Sequence, residues 1–169
     1  MRRNFYWAVA VIAASLLETT WVDVIRVMDV VPNLTLLLVV YFGVMNGPER
    51  AMFTGLLGGL FNDVASNAVL GHHVLCYVIV GYLVGRISAR LATEHPAVKA
   101  GLVFLSGLAF GLISTMVAYV QDPGIGAMHD IAARVVPGAF YSALFTPVLF
   151  FVLDFSFGRE DWAVHGGTV

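Results

Sequence analysis

The chain has 169 residues, of which 59% are hydrophobic and 12% are charged, and nine Lys/Arg against eleven Asp/Glu give a net charge of −2. An average soluble domain is about 45–50% apolar and about 25% charged. This composition argues against a soluble enzyme, a nucleic-acid-binding protein and a disordered chain, and it indicates a protein of the lipid bilayer. The single cysteine, Cys76, excludes an intrachain disulfide.

Six apolar runs separated by polar links predict an all-α fold, with six transmembrane helices in one integral membrane domain over residues 1–169. The predicted spans are 5–22, 30–46, 50–64, 70–88, 99–120 and 131–153. A spanning helix needs about 20 residues, so six of them use about 120 residues and leave no room for a separate soluble domain. The second and third runs are short for a full crossing, and five crossings are the alternative.

The positive charges predict the orientation of the chain. With the N-terminus inside and six crossings, the outer side holds only Arg26 and Arg134. The inner side then holds the other seven positive residues, Arg2, Arg3, Arg50, Arg86, Arg90, Lys99 and Arg159. This asymmetry follows the positive-inside rule and predicts that both termini are cytoplasmic.

The third run carries a glycine face that ends in polar residues. Gly55, Gly59 and Asp63 are four residues apart and share one side of a helix, flanked by Gly58 and Asn62. Glycine lets a second helix approach closely in lipid. Asn62 and Asp63 then either bind a ligand or a partner helix, or cap a helix end at the membrane surface.

Other runs repeat this spacing, at Gly81 with Gly85 and at Gly107 with Gly111. The recurrence predicts a close-packed bundle. Glu18 lies late in the first span, where an acidic residue either carries a proton, pairs with Arg26 or reaches the outer interface. Asp154 falls near the inner boundary of the last span.

Sequence motifs for catalysis are missing. The chain has no HExxH, no GxSxG and no G-x-x-x-x-G-K-[ST]. His72 and His73 are adjacent and therefore point to different faces of a helix, which suits a shared metal poorly. A hydrolytic group of Asp63, Ser66 and His72 is the least favoured interpretation, so we expect no catalytic residue, metal or cofactor.

Four elements together resemble the family of the rod shape-determining protein MreD. They are the start Pro32-Asn33-Leu34, the Gly-rich run from Gly55 to Asp63, the element Leu70-Gly71-His72, and the run Gly81-Tyr82-Leu83-Val84-Gly85. The densest match covers roughly residues 30–90, and the last span adds Pro137, Tyr141 and Pro147. Asn62 departs from the family pattern, which usually has an apolar residue there.

The resemblance implies a non-enzymatic scaffold in the bacterial inner membrane. Such a protein binds MreC, connects through it to RodA, a class B penicillin-binding protein and MreB, and helps to regulate peptidoglycan synthesis and rod shape. Its bundle is expected to resemble the six-helix substrate-binding subunits of energy-coupling vitamin transporters. The alternative function is therefore a small-molecule-binding transporter subunit with a polar pocket that includes Glu18 and Asp63. The candidate residues for helix packing or partner docking are Pro32, Asn33, Gly55, Gly58, Gly59, Asn62, Asp63, Gly71, Gly81, Tyr82 and Gly85.

Overall fold

The computed structural model describes residues 2–20, 33–66, 70–91, 95–121, 131 and 135–157. The described residues form six α-helices and no strand, which confirms the predicted all-α class for this part of the chain. The helices are α1 (Arg2–Thr20), α2 (Leu34–Asn46), α3 (Pro48–Ala65), α4 (His72–Ser88), α5 (Pro96–Gln121) and α6 (Val136–Phe157). Arg26, Pro32, residues 30–32 of the predicted span 30–46 and residues 132–134 of the predicted span 131–153 lie outside the described ranges.

The outer surface of the bundle is apolar. On α6, Phe140, Leu144 and Val148 repeat every four residues and are 66%, 63% and 61% exposed. Within the described ranges, 18 hydrophobic and ten polar or charged residues are buried, the latter including Ser15, Thr35, Asn62 and Asp63. Two of the helices, α5 and α6, are long and apolar enough to cross a membrane. The many exposed apolar side chains, together with these two long apolar helices, are consistent with a membrane protein.

Helix α2 is the centre of the bundle. It contacts all five other helices, and every residue from Thr35 to Gly43 is buried. A helix that is apolar on all sides is expected inside a bundle. This position explains why the second apolar run is short, because its 13-residue helix is enclosed by the others along most of its length.

The remaining helices form an arc around α2 in the order α1, α3, α4, α5, α6, in which each contacts the next. No contact joins α1 to α6 among the described residues. We use the term seam for five apolar residues of α1, α2 and α6, of which Leu17 is exposed and the others are partly buried: Ala14, Leu17, Leu34, Phe145 and Leu149. The arc around the central helix is therefore open on one side.

Helices α3 and α4 pack through glycines on both partners. A Cβ atom built on Gly55 would lie 2.7 Å from the carbonyl oxygen of Tyr77, and one on Gly59 would lie 2.6 Å from Cα of Val74. In return, Gly81 lies against Ala51 and Gly85 lies against Pro48. The contacts recur every three or four residues in antiparallel register. The face of Gly55 and Gly59 is thus covered by α4 of the same chain.

Helix α5 also packs closely through glycines, against the start of α6. A Cβ atom on Gly107 would lie 2.8 Å from Cβ of Ala139, and Gly111 lies against Val135. Gly101 differs, because no atom lies within 4 Å of its Cβ position. The pairs Gly55/Gly59, Gly81/Gly85 and Gly107/Gly111 therefore serve packing within the bundle.

Candidate functional site

A buried polar network begins where α1 ends and α2 starts. Ser15 and Glu18 lie on one face of α1, and Thr35 lies in the first turn of α2. The Thr35 backbone N–H and hydroxyl donate to Glu18 Oε2 at 3.0 and 2.7 Å. Ser15 Oγ and Asn62 Nδ2 each lie 3.3 Å from Thr35 Oγ1. Glu18 therefore joins α1 to the start of α2.

The network continues through Asn62 of α3 and Tyr77 of α4. Asn62 Nδ2 donates to the Tyr77 hydroxyl at 3.1 Å, and that hydroxyl donates to Asn33 Oδ1 at 2.9 Å. Asn33 N–H donates to Ser142 Oγ of α6 at 3.1 Å. We call these residues the polar network: Ser15, Glu18, Asn33, Thr35, Asn62, Tyr77 and Ser142. It ties α1, α2, α3, α4 and α6 together at one end of the bundle, in an environment where each hydrogen bond is electrostatically stronger than in water.

Replacing Tyr77 by Phe is expected to lower the stability of the bundle by about 1–3 kcal/mol, because Asn62 and Asn33 each lose a buried partner. For a chain of this length that corresponds to a fall in Tm of about 2–4 °C per kcal/mol. Thermal unfolding in detergent measures the change. Tyr82→Phe is the matched control, since Tyr82 is 44% exposed. Equal Tm values for both variants and the unmodified chain would show that the network does not stabilise the fold.

Asp63 caps the start of α4. Its side chain is 0% exposed, and it accepts the backbone N–H groups of Gly71 and His73 at 2.8 Å each and of Val74 at 3.4 Å. His73 Nδ1 also lies 2.8 Å from Oδ1. A carboxylate at a helix N-terminus satisfies donors that have no partner within the helix. Gly71 allows this turn because its φ is +98°.

Asn62 and Asp63 are neighbours in sequence but have separate roles. Asn62 bonds inside the polar network, whereas Asp63 caps the following helix. Gly58 contacts Thr35, and exposed Tyr82 lies under the Arg86 guanidinium, 5.9 Å from its ring centre. Pro32, the remaining predicted residue, lies outside the described ranges. Thr35, Ser15 and Ser142 were not predicted, and the only signal for them was a hydroxyl inside an apolar run.

The two adjacent histidines face different neighbours. His72 Nε2 lies 2.7 Å from Ser114 Oγ of α5. The His73 ring stacks on Phe110 with 6.2 Å between ring centres and lies 6.3 Å from the Tyr77 ring. Among the described residues, no group of three or more His, Cys, Asp or Glu side chains is arranged to hold a metal. The histidines therefore link α4 to α5 and to the cap.

A cleft of about 220 Å³ lies between α5, α6 and the start of α2. Its polar lining comes from Asn33, Ser114, Thr115 and Ser142, and its other walls are Leu36, Gly107, Phe110, Gly111, Val135, Gly138 and Ala139. The transporter alternative predicted a pocket that includes Glu18 and Asp63. Neither residue lines this cleft, because Glu18 bonds to Thr35 and Asp63 bonds to α4.

The opposite end of the bundle carries positive charge. Arg50 lies in the first turn of α3, Arg86 in the last turn of α4 and Lys99 in the first turn of α5. Asp154 accepts the Tyr41 hydroxyl at 3.0 Å, and its other oxygen lies 4.0 Å from Lys99 Nζ. The bundle thus has a basic end and an end that holds the polar network.

Comparison with known proteins gives one family. A family model described as rod shape-determining protein MreD matches residues 1–157. No curated protein and no solved structure matches the chain. The matched range contains all six described helices, the polar network and the Asp63 cap.

Proposed function

The chain belongs to the MreD family of rod shape-determining proteins, and from this premise we propose that it is a non-enzymatic scaffold of the bacterial cell-elongation machinery. In this function it binds the transmembrane helix of MreC. Through that complex it connects to RodA, a class B penicillin-binding protein and MreB, and it helps to regulate peptidoglycan synthesis. The apolar exterior and the internally bonded polar groups support a structural role in the membrane.

The charge distribution supports a six-crossing topology in the inner membrane with cytoplasmic termini. Arg50, Arg86 and Lys99 lie at one end of the bundle, and Glu18 and Asp63 lie at the other. Under the positive-inside rule the basic end is cytoplasmic. In this orientation the polar network and the cleft lie toward the periplasm, on the side of the MreC periplasmic domain.

The open arc carries the proposed docking site. The face of Gly55 and Gly59 is filled by α4, so a partner helix binds elsewhere. We place the opening between α1 and α6 at the seam, whose apolar side chains are partly or largely exposed in the described part of the chain, including Leu17, which is 48% exposed. Helices associate in lipid through close packing rather than through a hydrophobic driving force. A single apolar helix in the seam completes the ring around α2.

A bulky residue in the seam is expected to displace MreC. In Ala14→Trp the indole occupies the space of the partner helix, and overpacking typically costs about 1–3 kcal/mol, so recovery of MreC on the tagged chain falls by about tenfold. Ala13→Trp is the matched control, because Ala13 is the adjacent alanine on the exposed side of α1. Gel filtration in detergent checks that both variants are folded.

Cell shape provides the functional measurement. In rod-shaped cells depleted of their own copy, we expect the unmodified chain and Ala13→Trp to restore rods and Ala14→Trp to leave rounded cells. Equal MreC recovery and equal cell width for the two folded variants would contradict docking in the seam.

A further inference from the structure

The cleft contains hydrogen-bond donors that the described residues leave unused. Asn33 Oδ1 already accepts from Leu36 N–H at 2.7 Å and from the Tyr77 hydroxyl at 2.9 Å. Its Nδ2 group has no acceptor among the described residues. In the described part of the chain, every fully buried side-chain nitrogen or oxygen has a hydrogen-bond partner. The Asn33 amide nitrogen therefore keeps accessible surface, and Asn33 lines the cleft.

Two hydroxyl groups add to this set. Ser142 Oγ accepts from Asn33 N–H at 3.1 Å, and within the described ranges its own proton has no acceptor. Thr115 also lines the cleft, and its hydroxyl forms no hydrogen bond with another described residue. Asn33 Oδ1 thus accepts two hydrogen bonds and Ser142 Oγ accepts one, while their donors remain available.

We propose that the cleft binds the ester carbonyl groups of a membrane glycerolipid. Ester carbonyls are neutral acceptors, and they match a set of neutral donors in a lining whose described residues carry no charge. Ser114, which lines the cleft, lies seven residues before Gln121 at the end of α5. The cleft therefore lies about 10 Å along the helix from this end. Exposed Leu112 and Met116 on α5 provide an apolar surface for the acyl chains beside it.

The unused donors also favour a lipid over a peptide segment as occupant. A buried peptide brings its own N–H groups, and each of them needs an acceptor. Lipid esters bring acceptors only, so they leave no donor without a partner. This binding goes beyond the scaffold function, because the seam and the cleft are formed by different residues and either one can be tested without the other.

Native mass spectrometry of the delipidated chain in detergent tests the proposal. The probes are dimyristoyl phosphatidylglycerol and its ether-linked analogue, which has the same headgroup and chain lengths but no ester carbonyl. We expect the ester lipid to bind about tenfold more tightly, since two lost hydrogen bonds of ordinary strength correspond to about that factor. Equal binding of the two lipids would overturn the proposal and assign the interaction to the phosphate headgroup.

Two variants locate the binding in the cleft. Thr115→Val removes one donor at nearly constant volume and is expected to weaken ester-lipid binding by about two- to tenfold. Gly138→Leu fills the cleft and is expected to abolish the lipid-bound species. Thr146→Val and Gly101→Leu are the matched controls, because neither residue lines the cleft. Unchanged lipid binding by folded Thr115→Val would overturn the proposal.

Discussion

Gly59→Leu is expected to prevent α3 and α4 from packing, at a cost above about 3 kcal/mol. A Cβ atom at this position would lie 2.6 Å from Cα and 2.7 Å from the backbone nitrogen of Val74. Overpacking of a core commonly costs about 1–3 kcal/mol. The cost is larger here because backbone cannot move aside as a flexible side chain does, and because the two helices meet closely at Gly55, Gly59, Gly81 and Gly85.

Gly101→Leu is the matched control for this variant, since no atom lies within 4 Å of a Cβ built on Gly101. The fraction of protein in the monodisperse gel-filtration peak and the Tm in detergent measure the effect. We expect Gly59→Leu to lose most of the monodisperse peak and Gly101→Leu to match the unmodified chain. Gly59→Ala is expected to have a peak fraction and a Tm between those of Gly59→Leu and the unmodified chain. A normal peak and Tm for Gly59→Leu would mean that α3 and α4 are not packed in this register.

Asp63→Ala is expected to destabilise the start of α4 by at least about 2 kcal/mol. The change removes the acceptor of three backbone N–H groups and the partner of His73 Nδ1. Loss of a helix cap costs about 0.5–2 kcal/mol, and each buried donor left without a partner adds to that cost. We expect a fall in Tm of at least about 4 °C.

Asp63→Asn and Asp154→Ala complete this experiment. An asparagine side chain at this position keeps one acceptor oxygen and is a weaker cap, so Asp63→Asn is expected to recover part of the lost Tm. Asp154 has a side chain that is 41% exposed, so Asp154→Ala is expected to lower Tm less than Asp63→Ala. If Asp63→Ala unfolds at the temperature of the unmodified chain, the carboxylate is not needed as a cap.

The glycine spacing was the most informative part of the sequence. It predicted which faces pack closely, and the structure places Gly55, Gly59, Gly81 and Gly85 in one antiparallel interface. Spacing within a helix shows where small residues lie but carries no information about the helix that will cover them. For this reason a partner chain and α4 were equally compatible with the pattern, and only the tertiary structure assigns this face to α4.

The polar network was harder to predict. Thr35 lies inside an apolar run, and its bonds to Glu18 and Asn62 join residues that are 17 and 27 positions away in sequence. Such pairs depend on how helices are arranged, which periodicity alone does not determine. The cap was more accessible to prediction, because a helix end was already one of the two interpretations of Asp63 and only a short link separates it from Gly71.

Site-specific photo-crosslinking to MreC tests the docking of this scaffold most directly. A photoreactive phenylalanine analogue is placed at Leu17 or Leu149 in the seam, and at Ile79 or Leu83 on the exposed side of α4 as matched controls. We expect MreC adducts from the two seam positions and none from the two α4 positions. Adducts from α4 with none from the seam would contradict the proposed docking site.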